Sequence, residues 1–210
     1  FYPENTEGLC WKTTASDNQI ELGSVSTNLS PSECISSYHT AQARDGQQFA
    51  ELNANQVGAL YQDVATVPGV TLNYGFSHRA REEGDALALL VAGTNDFDQA
   101  LAIYTNCVAT KPSGWQQKVR ADIEALNLPA LTFIYHEAPY DISDLTEWTD
   151  LTGEYKVPAG QNVTKFAFLS LSKHSKESEG NLIDRVYFTT SEPLHAATLT
   201  ALVTTGGAAK

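Results

Sequence analysis

The sequence contains no apolar run that approaches the roughly 20 residues required by a membrane-spanning helix. This absence argues against direct insertion into a membrane. The chain also opens without the basic and apolar segments of a secretory signal peptide, and it ends in a tail of small residues. We therefore expect it to be one part of a longer, multidomain chain.

Basic residues are scarce: 13 Lys and Arg stand against 25 Asp and Glu, and the net charge is −12 at pH 7. Nucleic acid phosphates and anionic lipid surfaces would repel such a protein, so neither is expected as a partner. Hydrophobic residues make up 42% of the 210 residues and charged residues 18%. These proportions are typical of a globular protein, and the length allows one large domain or two small ones.

Cysteine is also rare, with only Cys10, Cys34 and Cys107, and no two of them form a C-x-x-C pair. A zinc site is therefore not predicted. Cys10 and Cys34 each lie beside turn-type sequence and are compatible with a disulfide, which would favour an exported protein. Cys107 follows an apolar segment and is predicted to be a buried thiol.

Motifs that carry catalysis are missing as well. The sequence has no G-x-S-x-G, H-E-x-x-H, P-loop or glycine-rich dinucleotide turn. A glycoside hydrolase would need two opposed carboxylates. The acidic residues Glu137, Asp141, Asp144 and Glu147 crowd into one segment and are typical of a solvated face. The chain is therefore predicted not to be an enzyme.

Most of the chain shows the alternation of β-strands, and one stretch departs from it. The predicted strands are 18–22, 47–52, 58–65, 70–81, 85–93, 130–138, 147–158, 163–172 and 181–190. In the longest, Leu72, Tyr74, Phe76 and His78 share one face. Between about 95 and 128 the apolar spacing lengthens to that of helices, with Ser113 as a candidate N-cap. The pattern predicts an all-β sandwich with a helical insertion.

Three stretches together resemble a known family: WKTTASDNQIEL (11–22), GQQFAELNANQVGALYQDVATVPGVTLNYGFSHRAR (46–81) and the region from VPAG to DRVYFTT (157–190). Their order is similar to that of galactose-binding-like jelly-roll modules in large surface proteins of Gram-positive bacteria, an architecture shared with carbohydrate-binding modules. The resemblance covers about half of the chain and implies a jelly-roll domain over 1–190. The segment 191–210 would then be a last strand or a linker to another module, and 94–146 matches no part of the pattern.

Polar residues at the ends of two predicted strands are the first candidates for a ligand site. If these strands share a sheet, the side chains converge at one end, where they could bind sugar hydroxyls. The candidates are Glu51, Asn53, Asn55, His78, Arg79, Arg81 and Asp85. The alternative is structural: a Glu51–Arg81 ion pair, a turn at Asn53 and Asn55, and a histidine satisfied inside the core.

Trp11, with Asp17 in the following polar segment, is the best candidate for a platform that stacks on sugar rings, ahead of Trp115 and Trp148. The alternative is that these tryptophans belong to the core. The resemblance also implies a structural Ca²⁺ near Asp184, although Arg185 stands where the family often has a second acidic residue.

The resemblance implies a non-catalytic adhesin module, extracellular or at the cell surface, that binds a glycan or a glycoprotein. Two alternatives remain: a structural spacer without a ligand, and an enzyme acting on polysaccharide. Because one fold serves all three roles, the residues of the site have to decide between them.

Overall fold

The computed structural model describes residues 1–7, 9–24, 43–139, 147–173, 178 and 180–190. In chain order the elements are β1 (Tyr2–Pro3), β2 (Lys12–Thr13), β3 (Gln19–Ser24), β4 (Gln48–Glu51), β5 (Ala59–Ala65), β6 (Thr71–Arg79), β7 (Ala86–Gly93), α1 (Thr94–Thr110), α2 (Trp115–Ala125), β8 (Thr132–Glu137), β9 (Thr149–Lys156), β10 (Val163–Ser170) and β11 (Leu182–Thr190). All nine predicted strands are present, from β3 to β11, and the short strands β1 and β2 were not predicted.

The strands form two sheets with the connectivity of a jelly roll. Sheet 1 has the order β1-β3-β4-β11-β6-β9, and sheet 2 has the order β2-β5-β10-β7-β8. The eight strands from β4 to β11 pair in a nested way: β4 with β11, β5 with β10, β6 with β9 and β7 with β8, all antiparallel. Apart from β7 and β8, which pair with each other in sheet 2, this nesting places successive strands in opposite sheets, as in a double Greek key. The predicted jelly-roll sandwich is confirmed.

The main core lies between the two sheets and follows the alternation of the strands. From sheet 1, β6 contributes Leu72, Tyr74 and Phe76. From sheet 2, β10 contributes Phe166 and Phe168, and Phe76 packs against Phe168 with ring centroids 4.9 Å apart. The predicted inward face of β6 is therefore confirmed.

The predicted helical insertion is confirmed, and its two helices cover the outer face of sheet 2. Phe97 and Tyr104 of α1 and Val119 of α2 are fully buried against that face. The sheet presents small residues there, since Ala59, Ala86, Ala88, Ala92 and Ala167 belong to the same cluster. Small side chains let the helices approach closely. The insertion therefore completes a third layer of the fold.

The predicted start of α2 was wrong by one residue. Gly114 rather than Ser113 is the N-cap, and it has a left-handed backbone with φ 67°. Glycine adopts this conformation without the steric cost that a Cβ would bring. No side chain caps the helix, so α2 is held by its buried face.

The segment 191–210 lies outside the described residues, so the predicted domain boundary stays a prediction.

Within the described parts of the chain, neither helix combines the length and the hydropathy that crossing a bilayer would require.

Replacing Phe97 by Ala should lower the free energy of unfolding by about 3–5 kcal/mol, because a fully buried ring between α1 and sheet 2 would be lost. Urea denaturation of the purified protein would measure the change. Gln99→Ala, at an exposed position of the same helix, is the control and should change stability by less than about 0.5 kcal/mol. Equal effects of both substitutions would mean that the helices contribute little to folding.

Candidate functional site

Glu51 and Arg81, both predicted to bind a ligand, form a buried ion pair. Arg81 Nη1 lies 2.9 and 3.0 Å from the two carboxylate oxygens of Glu51, whose side chain has no exposed surface. Glu51 Oε1 also accepts a hydrogen bond from the backbone N–H of Gly180 at 2.8 Å. The carboxylate thus ties β4 to the segment after Arg79 and to the chain before β11, which is the structural role weighed as the alternative.

His78 belongs to a chain of hydrogen bonds between the two sheets. Its Nε2 lies 2.7 Å from Asn181 Oδ1, and Asn181 Nδ2 donates to Ser172 Oγ at 2.9 Å. Ser172 Oγ in turn donates to Asp85 Oδ1 at 2.6 Å. The other end of the chain is His136, whose Nδ1 lies 2.8 Å from His78 Nδ1. This polar layer closes one end of the apolar core.

The carboxylate of Asp85 sets the direction of these bonds, since a carboxylate only accepts. Ser172 must donate to Asp85, Asn181 to Ser172, and His78 Nε2–H to Asn181. His78 Nδ1 is then the acceptor of a hydrogen bond from His136 Nδ1–H. A second proton on His78 would face that N–H group. Burial, followed by the proximity of His136, lowers the pKa of His78 to about 3 despite the bond to Asn181.

The remaining residues of the predicted site are partly buried and partly at the surface. Asn53 and Arg79 are buried, and Asn53 lies in the turn after β4. Asp17 Oδ1 accepts the backbone N–H of Gln19, and Asp17 Oδ2 lies 3.3 Å from Asn55 Nδ2. The structure brings Glu51, Asn53, His78, Arg81 and Asp85 to one end of the sandwich, as predicted. Their side chains point into a buried network, and their role in ligand binding stays a prediction.

Each of the three tryptophans packs against another aromatic ring. Trp11 meets Phe166 edge-on with centroids 5.6 Å apart and packs against the core between the sheets. It also lines a cleft of about 200 Å³ at the sandwich edge. Trp148 packs against Phe49, and Trp115 lies beside Tyr104. All three side chains are half-buried, and the role of Trp11 in ligand binding stays a prediction.

Asp184 lies on the outer face of sheet 1 and receives hydrogen bonds from backbone N–H groups. Asp184 Oδ2 accepts the N–H groups of Arg44 at 2.6 Å and Asp45 at 3.1 Å, and Oδ1 accepts that of Arg185. These N–H groups occupy the lone pairs of the Asp184 carboxylate through which a cation would be bound. The positively charged guanidinium group of Arg44 also lies nearby and would repel a cation. The surroundings of Asp184 do not fit Ca²⁺. Among the residues with described positions, no group of three His, Cys, Asp or Glu side chains could hold a metal ion.

Cys10 is exposed and Cys107 is a buried free thiol, as predicted for the latter. Cys34 lies outside the described residues, so the disulfide with Cys10 stays a prediction.

Arg44 forms a strap across three strands of sheet 1. Its backbone binds Asp184 on β11, while its guanidinium Nη2 lies 2.8 Å from Asp150 Oδ2 on β9. Between them Ser77 of β6 is fully buried and donates to Asp150 Oδ1 at 2.6 Å. Hydrogen bonds from Arg44, first, and from Ser77 lower the pKa of Asp150 to about 2. Asp150 is therefore ionised at any physiological pH.

A β-bulge in β11 places Tyr187 on the same outer face of sheet 1 as the Arg44 strap. Asp184 pairs with Ser77 and Tyr187 with Gly75, so three steps along β11 correspond to two along β6. Arg185 lies within this bulge, and its backbone is in the left-handed region with φ 51°. Strict alternation would place residues 184 and 187 on opposite faces, but the bulge directs both outward. Phe188 then points into the core, where it stacks on Phe166 with centroids 4.0 Å apart.

Tyr187 lies over Gly75 with 38% of its surface exposed. A Cβ atom on Gly75 would come within 2.5 Å of the tyrosine ring, so glycine is required for this arrangement. The pairing Tyr187–Gly75–Thr152 forms one row across β11, β6 and β9, and Thr189–Asn73–Glu154 forms the next. Neighbouring strands are about 4.8 Å apart, so this patch presents an aromatic ring among polar side chains. We call these six residues the tyrosine platform.

The sequence interpretation missed the tyrosine platform. Tyr187 stands between Val186 and Phe188 in an apolar stretch that predicts a strand and not its bulge. The available signal was Gly75, a lone glycine within a strand pattern, which often marks a close approach by another group.

Several solved structures are similar to this chain. No protein-family model matches the sequence, and no curated protein matches it. The carbohydrate-binding module TmCBM61, in complex with β-1,4-galactotriose, is 13% identical, with 86% of this chain and 88% of that chain covered and a TM-score of 0.45. A CBM22-1 xylan-binding domain of Xyn10C from Paenibacillus barcinonensis is 8% identical over 89% of this chain and 88% of that one, with a TM-score of 0.42.

A third similar structure contains the CBM22-1 and GH10 modules of xylanase 10B from Clostridium thermocellum, complexed with xylohexaose. It is 13% identical, with a TM-score of 0.46, and the match covers 87% of this chain and 26% of that one. The sugars named in these structures are properties of those proteins.

The buried His78 predicts a loss of stability in mild acid. Its folded-state pKa of about 3 lies below its ordinary value of 6.5, so the unfolded chain takes up a proton that the folded chain does not. Stability is therefore fully present above pH 6.5 and falls as the pH drops from 6.5 towards 3. The expected slope for one such histidine is about 1.4 kcal/mol per pH unit.

Urea denaturation between pH 4.5 and 7.5 would measure this slope, and a His78→Gln variant is the comparison. The variant should be less stable at pH 7.5 but lose less stability than the wild type on acidification. An unchanged slope in the variant would contradict the assignment of the buried neutral histidine.

Proposed function

We propose that this chain is a non-catalytic module that binds glycans through the tyrosine platform on the outer face of sheet 1. The arrangement of the fold in layers supports this proposal. One face of each sheet forms the core, and α1 and α2 cover the other face of sheet 2. The outer face of sheet 1 is the broad surface that carries exposed polar side chains around a ring.

The observation that carries the proposal is the exposed ring of Tyr187 lying over Gly75. Sugar rings present C–H groups that pack on an aromatic face, and their hydroxyl groups need polar partners at the rim. Thr152, Glu154 and Thr189 are exposed on the same face, and Asn73 is half-buried between the latter two. Hydroxyl, amide and carboxylate groups can all bond to sugar hydroxyls. The platform therefore offers both kinds of contact within two rows.

The non-catalytic character is supported by the carboxylates near the platform. A glycosidase needs a carboxylic acid that keeps its proton near the working pH. The hydrogen bonds of Arg44 and Ser77 lower the pKa of Asp150, which is the opposite of this requirement. Asp184 is held by three backbone N–H groups. Both carboxylates are suited to positioning a loop rather than to transferring a proton.

The role that follows is that of an adhesin module at the cell surface or in a secreted protein, recognising a glycan or a glycoprotein. This part of the proposal rests on the family resemblance of the sequence. The packed positions of Trp11, Trp115 and Trp148 favour a second candidate, a spacer domain without a ligand. The two candidates differ in what the tyrosine platform does.

Replacing Tyr187 by Ala should weaken glycan binding by about two- to tenfold, because one aromatic contact is worth about 0.5–1.5 kcal/mol. A glycan array would identify the probe, and calorimetry with that oligosaccharide would measure the dissociation constant. Tyr187→Phe should retain most of the affinity, since it keeps the ring.

Tyr2→Ala is the matched control, because Tyr2 is 41% exposed on β1 at the far edge of sheet 1. It should leave binding unchanged. Both binding assays would be run with Ca²⁺ and with EDTA, and the same affinity is expected in each. Absence of any array signal, or equal affinity of wild type and Tyr187→Ala, would favour the spacer.

A further inference from the structure

We propose that the tyrosine platform recognises the end of an uncharged glycan chain and not its interior. This inference rests on the proposed function and adds the class of ligand and its direction. It follows from a wall that closes the platform on one side and from the flat surface that the described residues form on the other.

The wall begins with the Arg44 strap. Arg44 passes over the row Asp184–Ser77–Asp150, which is the row next to Tyr187–Gly75–Thr152. The strap is attached at both ends, since its backbone N–H binds Asp184 and its guanidinium group binds Asp150. Because Ser77 beneath it is fully buried, a sugar ring cannot lie flat on this row.

Behind the strap, an apolar cluster continues the wall. Phe49 and Leu182 are buried on the outer side of sheet 1, and Ala43 and Trp148 pack against them. Phe49 and Trp148 are in edge-to-face contact, with centroids 6.2 Å apart. Side chains of this size stand above the level of the platform. A glycan lying on Tyr187 therefore cannot continue in this direction along the sheet.

In the opposite direction, the described residues continue the platform as a flat, polar surface. The row Thr189–Asn73–Glu154 is followed by Thr71 and Lys156, which pair across β6 and β9. Glu154, Lys156 and Thr189 are exposed. Two further rows extend about 13 Å beyond Tyr187 at the rise of a β-strand. A chain can leave the platform on this side.

The charges at the wall indicate an uncharged terminal sugar. Arg44 and Arg185 contribute two positive charges, and Asp45, Asp150 and Asp184 contribute three negative charges. Arg185 Nη1 lies 3.5 Å from Asp150 Oδ2, and Arg44 binds the same carboxylate. The wall thus has a formal net charge of −1, and it offers N–H donors and carboxylate oxygens to hydroxyl groups. An acidic sugar would find no excess positive charge there.

Stoichiometry distinguishes a chain end from a chain interior. Linear neutral oligosaccharides of increasing length, and the parent polysaccharides, would be titrated by calorimetry; the probes are β-1,4-glucan, β-1,4-galactan, β-1,4-mannan and α-1,4-glucan. For the series that binds, one protein molecule per sugar chain is expected at every length. A number of bound proteins that grows with chain length would overturn the inference.

Arg44→Ala combined with Trp148→Ala removes the guanidinium group and the largest side chain of the apolar cluster behind it, and should raise the number of proteins bound per polysaccharide chain severalfold. Arg120→Ala is the control, because Arg120 forms an exposed ion pair with Glu124 on α2, on the other side of the molecule. It should keep the ratio at one per chain. An unchanged ratio in this double variant would overturn the role of the wall.

The outcomes separate this inference from the proposed function. If a series binds and Tyr187→Ala weakens it, but the ratio grows with length in the wild type, only the chain-end inference fails. If no neutral series binds, or if Tyr187→Ala has no effect, the proposed function fails and the inference fails with it.

Discussion

One extra residue in β11 determines the surface of this protein. The bulge between Asp184 and Tyr187 shifts the alternation of the strand, so that both side chains point away from the core while Ile183 and Phe188 point into it. Arg185 adopts a left-handed backbone at this point, which costs a non-glycine residue about 1–2 kcal/mol. The hydrogen bonds that Asp184 accepts from residues 44, 45 and 185 offset this strain. The ring over Gly75 and the strap beside it both depend on this local arrangement.

The two sheets differ in what covers their outer faces. Sheet 2 is buried on both faces, and its outer face is rich in alanine because two helices lie on it. Sheet 1 has an inner face in the core and an outer face with two parts, an apolar cluster with its strap and the tyrosine platform. At the end of the sandwich between them, the polar layer from His136 to Asp85 replaces apolar packing. Such layers specify the register of a core because every donor in them has a defined acceptor.

Much of the fold could be predicted from the sequence. Alternation located nine strands, and the change of period located the helices, because both signals are local and strong. The candidate site could be predicted only in part. Glu51, His78, Arg81 and Asp85 do lie together, but a sequence does not tell whether a polar cluster at strand ends points into the sandwich or out of it. Tyr187 was missed because a bulge inverts the alternation from which its position would be read. Arg44 was missed because its contacts, with Asp150 and Asp184, are more than 100 residues away.

Amide chemical shifts would map the binding surface of the protein residue by residue. The ¹⁵N-labelled protein would be titrated with the neutral oligosaccharide identified on the array. If the tyrosine platform binds the sugar, the largest shifts will occur at the amides of Gly75, Thr152, Tyr187 and Asn73, with smaller shifts at Arg44 and none on α1 or α2. Shifts centred on the cleft beside Trp11, or on the helices, would place the binding surface elsewhere and contradict binding at the platform.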